Sequence, residues 1–218
     1  MCPFVVKLAF VSLFPYSVAF RRVGRSIKGS ALHEVSEATW LCVGSYFSDL
    51  RFPYSGSVTT DSLDVCQAFS GQCLIDGDKI TWRHDFDTLD RDNAYEDRAH
   101  FVWNENLLIE VGDDYSEHWS AVTPDNPTSC GVAELTKTRI DGSNGSQISE
   151  VIGRIVQVEA IGIAIWLEPQ HVAAFLNASP TWKVTKVVGS KEPRKDIVGV
   201  VSALAAKTEL PKDWNRVV

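Results

Sequence analysis

Positive charge is scarce in this sequence: 21 Lys and Arg stand against 28 Asp and Glu, for a formal net charge of −7. General nucleic-acid binding needs clustered positive charge, so that class of function is not expected. There is no Gly-rich phosphate loop, no G-x-S-x-G elbow and no dinucleotide fingerprint, which leaves ATP-dependent and NAD-dependent chemistry without a site. The five cysteines (Cys2, Cys42, Cys66, Cys73 and Cys130) are an odd number with no C-x-x-C or His-x-x-x-His spacing. That pattern favours reduced thiols over a disulfide framework or a zinc site. Neither a cofactor nor a metal is expected. A clean apolar run of about 20 residues is also missing. The most apolar stretch, 4–20, contains Lys7 and Pro15, so stable membrane insertion is not expected.

Acidic residues are absent before Glu34, where Lys7, Arg21, Arg22, Arg25 and Lys28 supply all the charge. Here the arginines follow the apolar run, the reverse of a secretory signal. Residues 1–33 therefore read as a basic extension outside the fold in a cytoplasmic protein. The alternative is a mitochondrial targeting segment. A barrel domain over 34–205 and a peripheral tail over 206–218 complete the expected organisation.

What the sequence does have is aromatic side chains, seven of them Trp, set in short alternating segments. Between residues 38 and 122 these segments are separated by Gly, Asp, Asn and Pro, the spacing of an antiparallel β-meander. Asp76-Gly77-Asp78 and Gly112-Asp113-Asp114 read as tight turns. Further strands are expected at 134–140, 151–158, 161–167, 182–188 and 197–204. A short helix is expected at 170–177, ended by Pro180. With nine to eleven strands, the fold class is mainly β, an antiparallel meander closing into a barrel with one short helix in its C-terminal part. A β-sandwich is the alternative.

The chemistry is expected on the aromatic faces. Over 79–86, Ile80, Trp82, His84 and Phe86 alternate with polar residues, and over 115–122 Glu117 shares a face with Tyr115 and Trp119. If those faces point inward, His84 and Glu117 are buried, where a carboxylate must be paired or protonated and its proton affinity shifts. Both are candidate catalytic residues, as base and acid. Candidate ligand contacts are Trp40, Arg51, Trp82, Trp103, Glu110, Tyr115 and Trp119. Arg51 can close the barrel end by pairing with Asp49, or hold a planar anion. The alternative is structural: a His-Glu link in a core that Trp and Tyr fill. Asp85, Asp87, Asp90 and Asp92 lack the rest of a calcium loop and read as a solvated turn. The Asn144 sequon likewise reads as a turn.

The segments WLCVGSYFSDLRFP, ITWRHDFD and LIEVGDDYSEHW, within 40–124 and more weakly to 167, resemble a scattered lipocalin-like family. It comprises bacterial hypothetical proteins and, more distantly, the fungal Hri family, whose yeast member was named as a casein-kinase-interacting protein. The resemblance implies a calycin-type β-barrel, with no established reaction and no catalytic residues to carry over. Three functions follow as expectations. The first is binding of a small hydrophobic or aromatic molecule in an aromatic-lined cavity. The second is a cofactor-free isomerase, cyclase or lyase using His84 and Glu117. The third is a solid barrel that binds a protein partner such as a kinase.

Overall fold

The structure, a computed structural model, describes residues 17–34, 36–53, 67–88, 96–104, 107–124, 127–143, 145–166, 172–188 and 194–218. Eight antiparallel strands form a closed barrel: β1 Val18–Ile27, β2 Ser36–Val43, β3 Tyr46–Pro53, β4 Gln67–Asp76, β5 Lys79–Asp87, β6 Glu96–Asn104, β7 Leu107–Val111 and β8 Tyr115–Ala121. Each strand pairs with its sequence neighbour, as a meander must, and β8 returns to β1 from Phe20↔Ala121 to Ile27↔Tyr115. Gly77, in the β4–β5 turn, takes φ 63°, a left-handed conformation that glycine adopts without strain.

The barrel is complete at β8, earlier in the chain than expected. The remaining strands form a second, six-stranded sheet: β9 Cys130–Ile140, β10 Gln147–Val158, β11 Ile161–Trp166, β12 Val172–Ala178, β13 Trp182–Val188 and β14 Trp214–Arg216, in the order β13-β12-β11-β10-β9-β14. Helix α1, Ile197–Ala206, packs on it. One face of this sheet (Val132, Val156, Val158, Ile163, Ile165) packs against the outer wall of the barrel at Ala19, Leu41, Val43, Leu50 and Phe86. Parts of barrel strands β1 to β5 are thereby covered on their outer face, and β2 is buried along nearly its whole length, which explains its near-continuous apolar run.

Four expectations need correction. The basic segment is not outside the fold, because Val18–Ile27 is a barrel strand and carries Arg21, Arg22 and Arg25. Loss of that segment would take β1 out of the closed barrel. The helix expected at 170–177 is β12, a central strand between β11 and β13. The strand expected at 197–204 is α1, whose Ile197, Val200, Val201 and Leu204 repeat at helical spacing and are buried. The tail is not peripheral, since β14 pairs with β9 and Trp214 is buried in the core under α1. Short apolar runs do not distinguish helix from strand, so the partner they meet decides. Cys2, Cys66, Asp90, Asp92 and Asn144 lie outside the described residues. Cys42, Cys73 and Cys130 are free thiols. Among the described residues no helix is long and apolar enough to cross a membrane.

Two strands of the barrel carry an extra residue. On β5, Ser70 pairs with Phe86 but Gly71 pairs with His84, leaving Asp85 as a bulge. On β1 the register shifts in the same way between Arg22 and Gly24. Gly71 has no room for a side chain: a Cβ there would stand 1.8 Å from the Arg83 carbonyl oxygen, which is backbone and cannot swing away. Outside the barrel, Arg154 of β10 grips the β5 bulge. Its Nη2 lies 2.9 Å from Asp85, and its guanidinium sits 5.2 Å from the Phe86 ring and 4.9 Å from that of Tyr46. Gly71→Ala is therefore expected to lower unfolding free energy by about 2–4 kcal/mol in urea titrations, the cost of overpacking and a displaced register. Gly142→Ala, where no atom lies within 4 Å of the new methyl, is expected to stay within about 0.5 kcal/mol of the parent.

Candidate functional site

Inside the barrel the side chains form two layers. The middle is aromatic. Trp40 from β2 lies 5.0 Å from Phe20, 5.9 Å from Trp82, 5.9 Å from Phe101 and 5.8 Å from Trp119, in stacked and edge-on pairs. These rings pack on one another, and Trp103 packs against the same cluster while partly exposed. The tryptophans expected to line a cavity thus face inward as the alternation required, and Trp40 is in ring contact with both Trp82 and Trp119.

The polar layer lies beyond this cluster, at the end of the barrel where strands β1, β3, β5 and β7 finish. Glu117 of β8, 1% exposed, is its centre. Arg22 Nη1 donates to Glu117 Oε1 at 2.6 Å, and the same guanidinium donates to both Glu34 oxygens at 2.8 and 2.9 Å and to Ser36 Oγ at 2.6 Å. Arg51 donates to both Asp49 oxygens at 3.1 and 3.0 Å and reaches Glu117 at 3.3 Å. Arg25 approaches Glu117 at 3.4 Å. The bulge in β1 makes this possible, because Arg22 and Arg25, three apart, would face opposite ways on a regular strand. Charges this deeply buried survive only when paired and hydrogen-bonded, as these are.

Three guanidiniums thus face the carboxylates of Glu34, Asp49 and Glu117. Glu110 of β7 is a fourth acid, cross-strand partner of Glu117, and it accepts hydrogen bonds from Tyr115 Oη at 2.7 Å and Trp119 Nε1 at 3.1 Å. Burial, and then the neighbouring Glu117 carboxylate, push its pKa up to about 8. Burial also raises the Asp49 carboxyl, with Arg51 opposing. The Tyr115 hydroxyl is raised by burial and by Glu110. On the outside, Tyr115 lines a groove of about 340 Å3 bounded by Ser26, Lys28, Gly112 and Ser116, so one residue touches both solvent and the buried acid.

His84 and Glu117 both face inward, with different partners from those expected. His84 Nδ1 lies 3.0 Å from Asp87 Oδ2, and its ring is stacked on Phe69 at 4.7 Å. Phe86, expected beside His84, lies on the outer wall because the bulge reverses the alternation after Asp85. The same reversal brings Asp87 inside. The sequence reading did not assign a role in the site to Arg22, Glu34, Ser36 or Asp87. An isolated glycine in a strand, Gly71 opposite His84, was the available signal for a bulge. Among the described residues no cluster of acids, histidines and cysteines is arranged to hold a metal.

No known family profile matches the chain, and no curated protein does. Among solved structures, the chain is similar to uncharacterized protein YLR301w from Saccharomyces cerevisiae, with a TM-score of 0.58 and 14% sequence identity over 82% of this chain and 89% of that one. At this identity the likeness shows the fold, and its extent takes in more than the barrel.

The Glu110 carboxyl predicts how stability depends on pH. Its folded pKa of about 8 lies above its ordinary 4.5, so between those values the native protein holds a proton that the unfolded chain releases. Its contribution is complete below about pH 4.5 and falls away as pH rises through 8, with a slope approaching about 1.4 kcal/mol per pH unit. Urea titrations from pH 5 to 9 are expected to show this decline in the parent protein and a flatter profile in Glu110→Gln.

Proposed function

We propose that this protein is a lipocalin-like barrel that binds a small aromatic or hydrophobic molecule at its polar end. The observation that carries the reading is the polar layer itself, a network of buried acids and arginines resting on a bed of aromatic rings. Replacing a buried ion network by apolar side chains of similar volume is often neutral or stabilising, so stability alone does not account for it. Perturbed acids gathered at one end of a barrel support the reading of that end as a binding site. Arg51, whose guanidinium lies over Phe69 and Trp119, and the Glu110–Tyr115 pair would supply the polar contacts. Trp40, Trp82, Trp103 and Trp119 would be the floor. The compartment read from the sequence, the cytoplasm with the mitochondrion as alternative, remains part of this proposal.

One observation favours a second reading. The ring packing around Trp40 is that of a solid core, which suits a barrel whose surface binds a protein partner. Native mass spectrometry of the full chain, isolated from its source cells, separates the two. A reproducible excess mass that leaves on denaturation is the outcome expected for small-molecule binding. In Arg51→Lys, which keeps the charge but loses the planar fork, the bound fraction is expected to fall at least about tenfold. A bare mass under gentle conditions would overturn small-molecule binding in favour of the solid barrel.

A further inference from the structure

The hairpin of β9 and β10 runs past the rest of its sheet. β14 pairs with β9 only over 133–135, and β11 pairs with β10 only from Gly153 onward. Beyond those points five cross-strand pairs, from Val151↔Thr136 to Gln147↔Ile140, continue as a two-stranded ribbon. At roughly 3.4 Å per residue it projects about 14 Å. Lys137 to Ile140 and Gln147 to Glu150 are all exposed, so both faces of the ribbon meet water, and Ile140 is 72% exposed. A two-stranded ribbon is marginally stable by itself, and a bare strand edge is a template for another strand. Thr136 donates its N–H to Asp213, away from β10, at 3.2 Å. Because these groups alternate along a strand, Thr138 and Ile140 also turn their N–H and C=O outward. Their partners Ser149 and Gln147, together with Val151, turn theirs to the opposite edge. Among the described residues no strand pairs with either edge of the ribbon.

The two edges differ in charge. The β9 edge carries Lys137 and Arg139, and basic side chains are a common means of blunting an edge. Antiparallel pairing of this edge with itself about Thr138 would set Lys137 against Arg139 of the second copy, a repulsive arrangement. The β10 edge, Gln147 to Val151, has no basic residue and no proline. Two copies related by a two-fold axis at Ser149 would set Gln147 against Val151, Ile148 against Glu150 and Ser149 against Ser149. No like charges are then opposed, and the outward groups of Gln147, Ser149 and Val151 meet as hydrogen-bonded pairs. We propose that this edge is a homodimer interface, at which two copies of the chain join by antiparallel pairing of 147–151 about Ser149 and merge their ribbons into one four-stranded sheet. The pairing is closed by its two-fold axis, so it stops at the dimer. It stands independently of what the barrel binds.

Sedimentation velocity of the full chain tests this. The protein is expected to shift from monomer at about 1 µM toward dimer at about 500 µM, the scale of a small interface. Ser149 is exposed, so a charge there is expected to leave the fold intact. Ser149→Lys and Ser149→Glu are each expected to weaken the dimer at least about tenfold, because the axis sets each new charge against its own copy. An equimolar mixture of the two variants is expected to recover dimer, since opposite charges then face each other. Hydrogen exchange supplies an independent readout: raising the concentration of the parent protein is expected to protect the amides of Gln147, Ser149 and Val151. A monomer at every concentration would overturn the interface. So would a dimer that neither substitution weakens, a mixture that fails to recover it, or protection that appears at Thr138 and Ile140 instead.

Discussion

A β-strand alternates strictly between its two faces, and the polar end of this barrel depends on breaking that rule twice. Arg22 and Arg25 on β1, and His84 and Asp87 on β5, are each three residues apart and each face inward. One added residue per strand accomplishes this at the cost of a local interruption in the ladder. Without the first bulge Glu117 would lose a guanidinium, and without the second His84 would have no carboxylate beside it. The site is therefore positioned by register.

The second sheet is what makes such irregularity tolerable. It covers the outer wall of β1 to β5, and from it Arg154 reaches the outward side of the β5 bulge, pairing with Asp85 while lying against Phe86 and Tyr46. A barrel standing alone would expose this wall to water, and the bulged segment would be held only by its neighbours in the ladder. The two layers thus divide the work: the barrel encloses the polar groups, and the sheet fixes the strand that aims them.

Within the barrel the aromatic layer and the ionic layer depend on each other. The rings around Trp40 exclude water from below, which strengthens the ion pairs of Arg22 and Arg51 and equally raises the penalty on any unbalanced charge. Three guanidiniums balance three carboxylates, and Glu110, the fourth acid, answers the imbalance by holding its proton to about pH 8. The result is a layer in which guanidiniums, carboxylates and a neutral acid are in contact.

The amino-acid sequence by itself determined the strand meander, its turns at Gly77 and Gly112, and the inward faces of Trp40, Trp82, Glu110, Glu117 and Trp119, because two-residue alternation and turn chemistry are local. It also marked Arg51 and Asp49 as candidates for an ion pair, and the two are paired. Only the tertiary structure decided that 172–178 is a strand and 197–206 a helix, since each apolar run took the form that its long-range partner buried. The basic segment before Glu34 was likewise undecidable from composition, because the carboxylates that pair with buried Arg22 are brought from β8 and the β1–β2 connection. The partners of His84 and Glu117 were beyond reach for the same reason. A single inserted residue reverses every face beyond it, and whether a strand accepts that residue depends on the strands beside it.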